Sequence, residues 1–199
     1  MRELDKVLNT NEAVLWEGKP KFLPFLFGGA IVSLFGLIFL FVGAGVAYQG
    51  IKSGNIFFLL MPHFWIGFIL VFGVPIYRAL VFSRTYYAIT DKRALIQTGL
   101  IGRDFQMIDF DQIANAEVNV GIFDILFRQG SGSILISTAG TFIQGKHGPM
   151  PKPYALCNIP NPYEVFKFFK KVSHDVKTDI SYPNKYRPST NPGYNTKYK

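Results

Sequence analysis

The sequence predicts a membrane-anchored α+β protein: a two-helix transmembrane hairpin followed by a domain of about seven strands with a C-terminal helix. Three observations carry this reading. Mean hydropathy is positive although charged residues make up only 17% of the 199, which is unusual for an ordinary water-soluble domain. Two uncharged apolar runs lie close together near the N-terminus. Beyond residue 84 the pattern changes to short runs of β-branched and aromatic residues between turn residues, and then to one segment of helical period.

Residues 1–21 mix both charge signs and form an N-terminal segment on the cytoplasmic side. Residues 22–48 contain no charged side chain. As a helix they would extend about 40 Å, more than a hydrocarbon core of about 30 Å, so this first span tilts, kinks or emerges at one end. The run starts too late and is too long for a cleaved signal peptide. Residues 49–55 carry only Lys52 and are too short for anything but a tight link, so the second uncharged run, 56–77, returns antiparallel. Lys19 and Lys21 precede the first run and Arg78 and Arg84 follow the second. This bias places both termini in the cytoplasm and residues 49–55 outside, in a multi-pass protein of the cell membrane.

One domain is expected over residues 84–176, where strands are predicted at 84–90, 93–98, 103–109, 116–120, 133–138, 141–144 and 154–158. Asp91-Lys92 and residues 99–102 supply turns. Residues 122–127, IFDILF, fit either a helical turn or an apolar loop over the end of the strands, and periodicity does not decide between them. Residues 145–153, GKHGPMPKP, read as a long exposed loop. Asn161-Pro162-Tyr163-Glu164 has the chemistry of a helix start, with Pro at the first helical position and Glu two further on. The helix should run to about residue 176, with Val165, Phe166, Phe169 and Val172 on one face, Lys167, Lys170 and Lys171 elsewhere, and Phe168 out of pattern. Residues 177–199 are a basic tail rich in Pro, Asn and Tyr without a period.

Several of these pieces are specific. They are the opening Glu12-Ala-Val-Leu-Trp-Glu-Gly-Lys-Pro20, the hairpin Tyr87-Ala-Ile-Thr-Asp-Lys-Arg-Ala-Leu-Ile96 followed by Gly99, Ile108-Asp-Phe-Asp-Gln-Ile113 leading into Glu117-Val-Asn-Val120, Gly132-Ser-Ile-Leu-Ile136, and Ile159-Pro-Asn-Pro162. Together they resemble the prokaryotic pleckstrin-homology-like domain family of small membrane proteins. The resemblance implies a PH-like seven-stranded β-barrel or sandwich capped by the C-terminal helix. It implies fold more than activity, because PH-type domains bind very different partners.

No catalytic, cofactor or metal site is expected. His63, His147 and His174 stand apart from each other and from carboxylate clusters. Asp104, Asp109 and Asp111 have no neighbouring nucleophile or histidine, and Cys157, the single cysteine, reads as a packed small side chain. Arg128-Gln-Gly-Ser-Gly-Ser133 lacks a Gly-Lys-Ser/Thr ending and leads into a strand, which makes it a turn rather than a nucleotide loop. The formal net charge of +8 beside a membrane points to anionic headgroups before nucleic acid. Candidate headgroup contacts are Lys92 and Arg93 in the first hairpin, Arg128, and Lys167, Lys170 and Lys171 on the helix. The expected partners are the bilayer, other membrane proteins or a second copy, and anionic lipid. The leading functional expectation is a non-catalytic interaction or scaffold module at the inner membrane surface. A headgroup-binding module is the alternative, and a subunit of a small oligomeric channel or transporter, with Gly29, Ser33, Gly67 and Gly73 as close-packing points, a weaker one.

Overall fold

The computed structural model describes residues 3–145 and 148–181. The chain divides into two compact units. One is Phe22–Ser83; the other joins the segment up to Lys21 with the chain from Arg84 onward.

The Phe22–Ser83 unit contains α1 (Phe22–Phe27), α2 (Ala30–Lys52), a 3-10 turn (Ile56–Leu60), α3 (Pro62–Phe68), a π-turn (Ile69–Gly73) and α4 (Val74–Phe82). Ala30–Lys52 and Pro62–Phe82 are each long and apolar enough to cross a membrane. Large apolar side chains such as Ile31, Phe41, Ile69 and Ile76 face outward from them. The elements are offset from the sequence reading for local reasons. Gly28-Gly29 interrupts the first helix, and the Phe25 carbonyl at this break accepts a bond from Arg78 Nε at 2.5 Å. In the second, Pro75 has no N–H to give. Within the i→i+5 pattern of the π-turn, residue 75 is the one that would serve the Leu70 carbonyl. Ser33 Oγ fills that role from the other helix at 3.1 Å.

The seam between the two long helices is lined with glycine. Gly36, Gly43 and Gly50 recur every seven residues on α2 and are buried, as is Gly67 on α3. A Cβ at Gly43 would lie 2.4 Å from the Phe64 amide nitrogen, and one at Gly67 would lie 2.3 Å from that of Leu40. The backbones therefore touch, the arrangement small residues permit between helices in lipid.

The second unit contains β1 (Val14–Gly18), β2 (Tyr86–Thr90), β3 (Arg93–Thr98), β4 (Asp104–Asp109), β5 (Ile113–Asn119), α5 (Ile122–Leu126), β6 (Ser131–Gly145), β7 (Gly148–Pro160) and α6 (Pro162–Ser181). The strands form two antiparallel sheets, β1-β2-β3-β4 and β5-β6-β7. The expected barrel is thus not closed: β4 and β5 follow one another through a 3-10 turn, Phe110–Gln112, without pairing. Both sheets and α6 share one core that includes Tyr87, Ile89, Ile136, Leu156, Phe169 and Val172. Phe110 meets Phe169 edge-on at 5.7 Å, and Tyr87 Oη accepts the Cys157 amide at 3.1 Å across the two sheets. A second apolar cluster joins Leu4 to Ala88 and Leu95, so the N-terminal turn covers the other face of the first sheet.

Several elements differ from the sequence reading. Val14–Gly18, set in the N-terminal segment, is an edge strand paired with β2 from Val14↔Thr90 to Gly18↔Tyr87. The two strands expected at 133–138 and 141–144 are one, β6, with an irregularity between Ser137 and Phe142. The loop expected at 145–153 is largely the hairpin continuing into β7, with Gln144↔Pro149 and Phe142↔Pro151 in register. Pro149, Pro151 and Pro153 alternate along β7, an edge strand of its sheet, and edge strands tolerate proline because one side of their backbone has no partner. Residues 122–127 resolve as a helical turn, α5. Helix α6 continues to Ser181, and Lys177 Nζ donates to the Ile113 carbonyl at 2.6 Å. Phe166 and Phe168, expected on different faces, both pack partly against the core. His147 and the tail beyond Ser181 lie outside the described residues.

Candidate functional site

The first hairpin is held by a buried ion pair. Arg93 Nη2 lies 2.7 Å from Glu12 Oε2, with the Glu12 side chain wholly buried and that of Arg93 13% exposed. Glu12 also accepts Arg93 Nε at 3.0 Å, Thr90 Oγ1 at 2.8 Å and the Asn9 amide at 3.0 Å. Thr90 Oγ1 in turn accepts the Lys92 and Arg93 amides, and Asp91 Oδ1 accepts that of Ala13. Thr90, Asp91 and Arg93 of this turn therefore clasp the N-terminal segment. Arg93 has its remaining donors on the Val7 carbonyl and the Met107 sulfur, which leaves Lys92 as the hairpin's cation for an outside ligand.

Burial raises the pKa of Glu12, but the bonds from Arg93, Asn9 and Thr90 outweigh it and hold the carboxyl below its ordinary 4.5. A depressed carboxylate pKa stabilises the fold fully above the unfolded-state value and loses that contribution as pH falls through the folded one. The unfolding temperature of the full-length protein in detergent should therefore drop as pH is lowered below about 4.5. In Glu12→Gln that drop should be shallower, as circular dichroism melts at several pH values would show.

A second constellation surrounds an open cleft of about 590 Å³ where α5, the start of β6 and the start of α6 meet. Its walls include Ile125, Arg128, Tyr163, Glu164 and Lys167. Asp124 forms the floor. It is buried and accepts Ser131 Oγ at 2.5 Å, Asn158 Nδ2 at 2.9 Å and the Gly121 amide at 3.0 Å. Its charge is thus absorbed by the frame that holds α5 in place. Left-handed backbone at Arg128 (φ 49°), Gly130 (φ 60°) and Asn161 (φ 48°) turns the chain around the rim; Gly and Asn tolerate this region better than most residues. Ser131 and Ser133 of the glycine-rich turn are engaged within the fold, Ser133 Oγ accepting the Asn158 amide at 3.0 Å.

Of the expected headgroup contacts, the structure brings Arg128 and Lys167 to the same cleft. Lys170 and Lys171 are exposed on the following turn of α6. Lys92 and Arg93 do not line this cleft. Tyr163 and Asp124 were not legible as site residues; the only signal for Asp124 was its place three residues after Gly121, where a carboxylate closes the first turn of a helix. Among the described residues no group of three His, Cys, Asp or Glu is arranged to hold a metal.

Two antiparallel sheets of four and three strands around one core, capped by a C-terminal helix, define a PH-like domain, here carrying a pair of apolar helices between its first two strands. The chain belongs to the bacterial PH domain family, whose pattern matches residues 29–170 and so spans the helices as well as the strands from β2 onward. No curated protein and no solved structure matches the chain.

Proposed function

We propose that this is a non-catalytic membrane protein whose PH-like domain acts as an interaction module at the inner membrane surface. The observation that carries this reading is the connectivity: the apolar hairpin is inserted between two strands that pair with each other, β1 and β2. An anchor inserted inside a sheet gives the domain two covalent ties, and tethering at a surface raises the effective concentration of whatever is bound there. Both termini are cytoplasmic in this reading, which the cations flanking the hairpin support. Extraction of the tagged full-length protein in mild detergent, followed by sizing and mass spectrometry, tests it. A stoichiometric set of co-purifying membrane proteins is the expected result, and a lone monomer would overturn the scaffold role.

A second reading, binding of anionic lipid headgroups, is favoured by one observation: Arg128 and Lys167 stand on the same cleft. The channel reading has less behind it. Gly67 is occupied by the hairpin's own seam, Ser33 by the Leu70 carbonyl, and Gly29 by Val74, 2.7 Å from where its Cβ would stand.

A further inference from the structure

Helix α5 is a single short turn, yet it exposes three large aliphatic side chains. Ile122 is 78% exposed, Ile125 65% and Leu126 64%, and Tyr163 across the cleft is 63% exposed. A water-facing turn does not need such residues, and this one is not loosely held: the Asp124 bonds to Ser131, Asn158 and Gly121 fix it to β6, β7 and its own first turn. The surroundings are cationic. Against Glu164 and the internally bonded Asp124 stand Arg128, Lys167, Lys170 and Lys171, all four exposed. A rigid aliphatic tip with a tyrosine and flanking Arg and Lys is the composition that settles at a membrane interface, the aliphatic groups entering the acyl boundary and the cations staying with the phosphates.

We propose that α5 is a bilayer-docking wedge: Ile122, Ile125 and Leu126 insert into the anionic leaflet that holds the chain's own hairpin, while Arg128 and Lys167 bind lipid phosphates beside them. The occupant is a lipid surface rather than a protein because Arg128 and Lys167 share the cleft with Ile125, and because a domain tied to a hairpin at both Lys21 and Arg84 is never far from lipid. The inference rests on the membrane-anchored reading and extends the headgroup alternative, giving it a site and a depth. Docking by this turn would set which surfaces of the domain remain open to partners.

The test uses full-length protein in nanodiscs of phosphatidylcholine, alone or mixed equally with phosphatidylglycerol. In a Cys157→Ala background whose unfolding midpoint is checked first, an environment-sensitive fluorophore is placed at Ile125→Cys, and separately at Phe41→Cys in the hairpin. Quenchers are attached to the lipid chains. The expected result is a blue-shifted probe at 125 that lipid quenchers reach in the anionic discs and much less in neutral ones. Adding Arg128→Gln and Lys167→Gln together should weaken this docking roughly thirtyfold, two cations at about 1 kcal/mol each. Aqueous emission at 125 in both discs, with normal quenching at 41, would overturn the wedge and leave the anchor standing. Blue-shifted emission without lipid quenching would overturn it in favour of a protein covering the turn. Absence of quenching at 41 would instead overturn the anchor, and the wedge with it.

Discussion

Replacing Glu12 with alanine is expected to destabilise the PH-like domain by about 3–5 kcal/mol, the range for breaking a buried ion pair by removing one partner. An exposed pair would be worth at most about 1 kcal/mol, and burial decides between the two figures. The Glu12 side chain has no solvent access and the Arg93 side chain very little. Alanine at 12 would leave a guanidinium facing Val7 and Met107 with its counter-charge gone, and would remove one acceptor each from Thr90 Oγ1 and the Asn9 amide. Cys157 supplies the readout: it is half-buried, and its amide is bonded to Tyr87 in the core. Its rate of thiol labelling against urea in full-length protein should rise at a markedly lower concentration in Glu12→Ala. Replacing Glu12 and Arg93 together with methionine should recover much of the loss, since an apolar pair leaves no buried charge unpaired. A single variant within about 0.5 kcal/mol of the parent, as at an ordinary surface position, would show that the clasp contributes little.

Gly43→Leu should have a comparable effect on the other unit. A leucine there meets the Phe64 backbone, not the end of a side chain that can swing away, so the helices must separate. Overpacking of this kind costs about 3 kcal/mol at the upper end of its usual range. Gly45 is the control, two residues along the same helix with nothing within 4 Å of its Cβ position. Loss of helical ellipticity in increasing dodecyl sulfate should come early for Gly43→Leu and at the parental concentration for Gly45→Leu. Equal behaviour of the two variants would mean that the seam is not a close contact.

The two apolar helices and strands β2 to β4 were readable because their signals are local: absence of charge over a long run, and alternation between turn residues. What was missed depends on partners distant in sequence. The segment Val14–Gly18 is only five residues long and carries a glutamate and a glycine. What makes it a strand is β2, on the far side of the hairpin. Arg93 looked available for the same reason, since nothing near it in sequence reveals Glu12. Prolines 149, 151 and 153 argued for a loop, and only the sheet order shows that they lie along a free edge. The cleft was half legible: Arg128 and Lys167 were singled out for charge, but their convergence and the aliphatic tip between β5 and β6 emerge only when α5 is anchored through Asp124.

The position of the helical hairpin between β1 and β2 also sets an order of events. During synthesis β1 leaves the ribosome first, and roughly 70 residues pass before its partner appears, a separation whose loop-closure cost is met only once the intervening chain is compact. Bringing the two helices together closes that loop, so hairpin assembly lowers the cost of completing the first sheet. A chain that begins at residue 84 would emerge with β2 as a bare edge and Arg93 without its counter-ion. Completion of the first sheet thus depends on the helical hairpin, and the pairing of β1 with β2 records that the hairpin has formed.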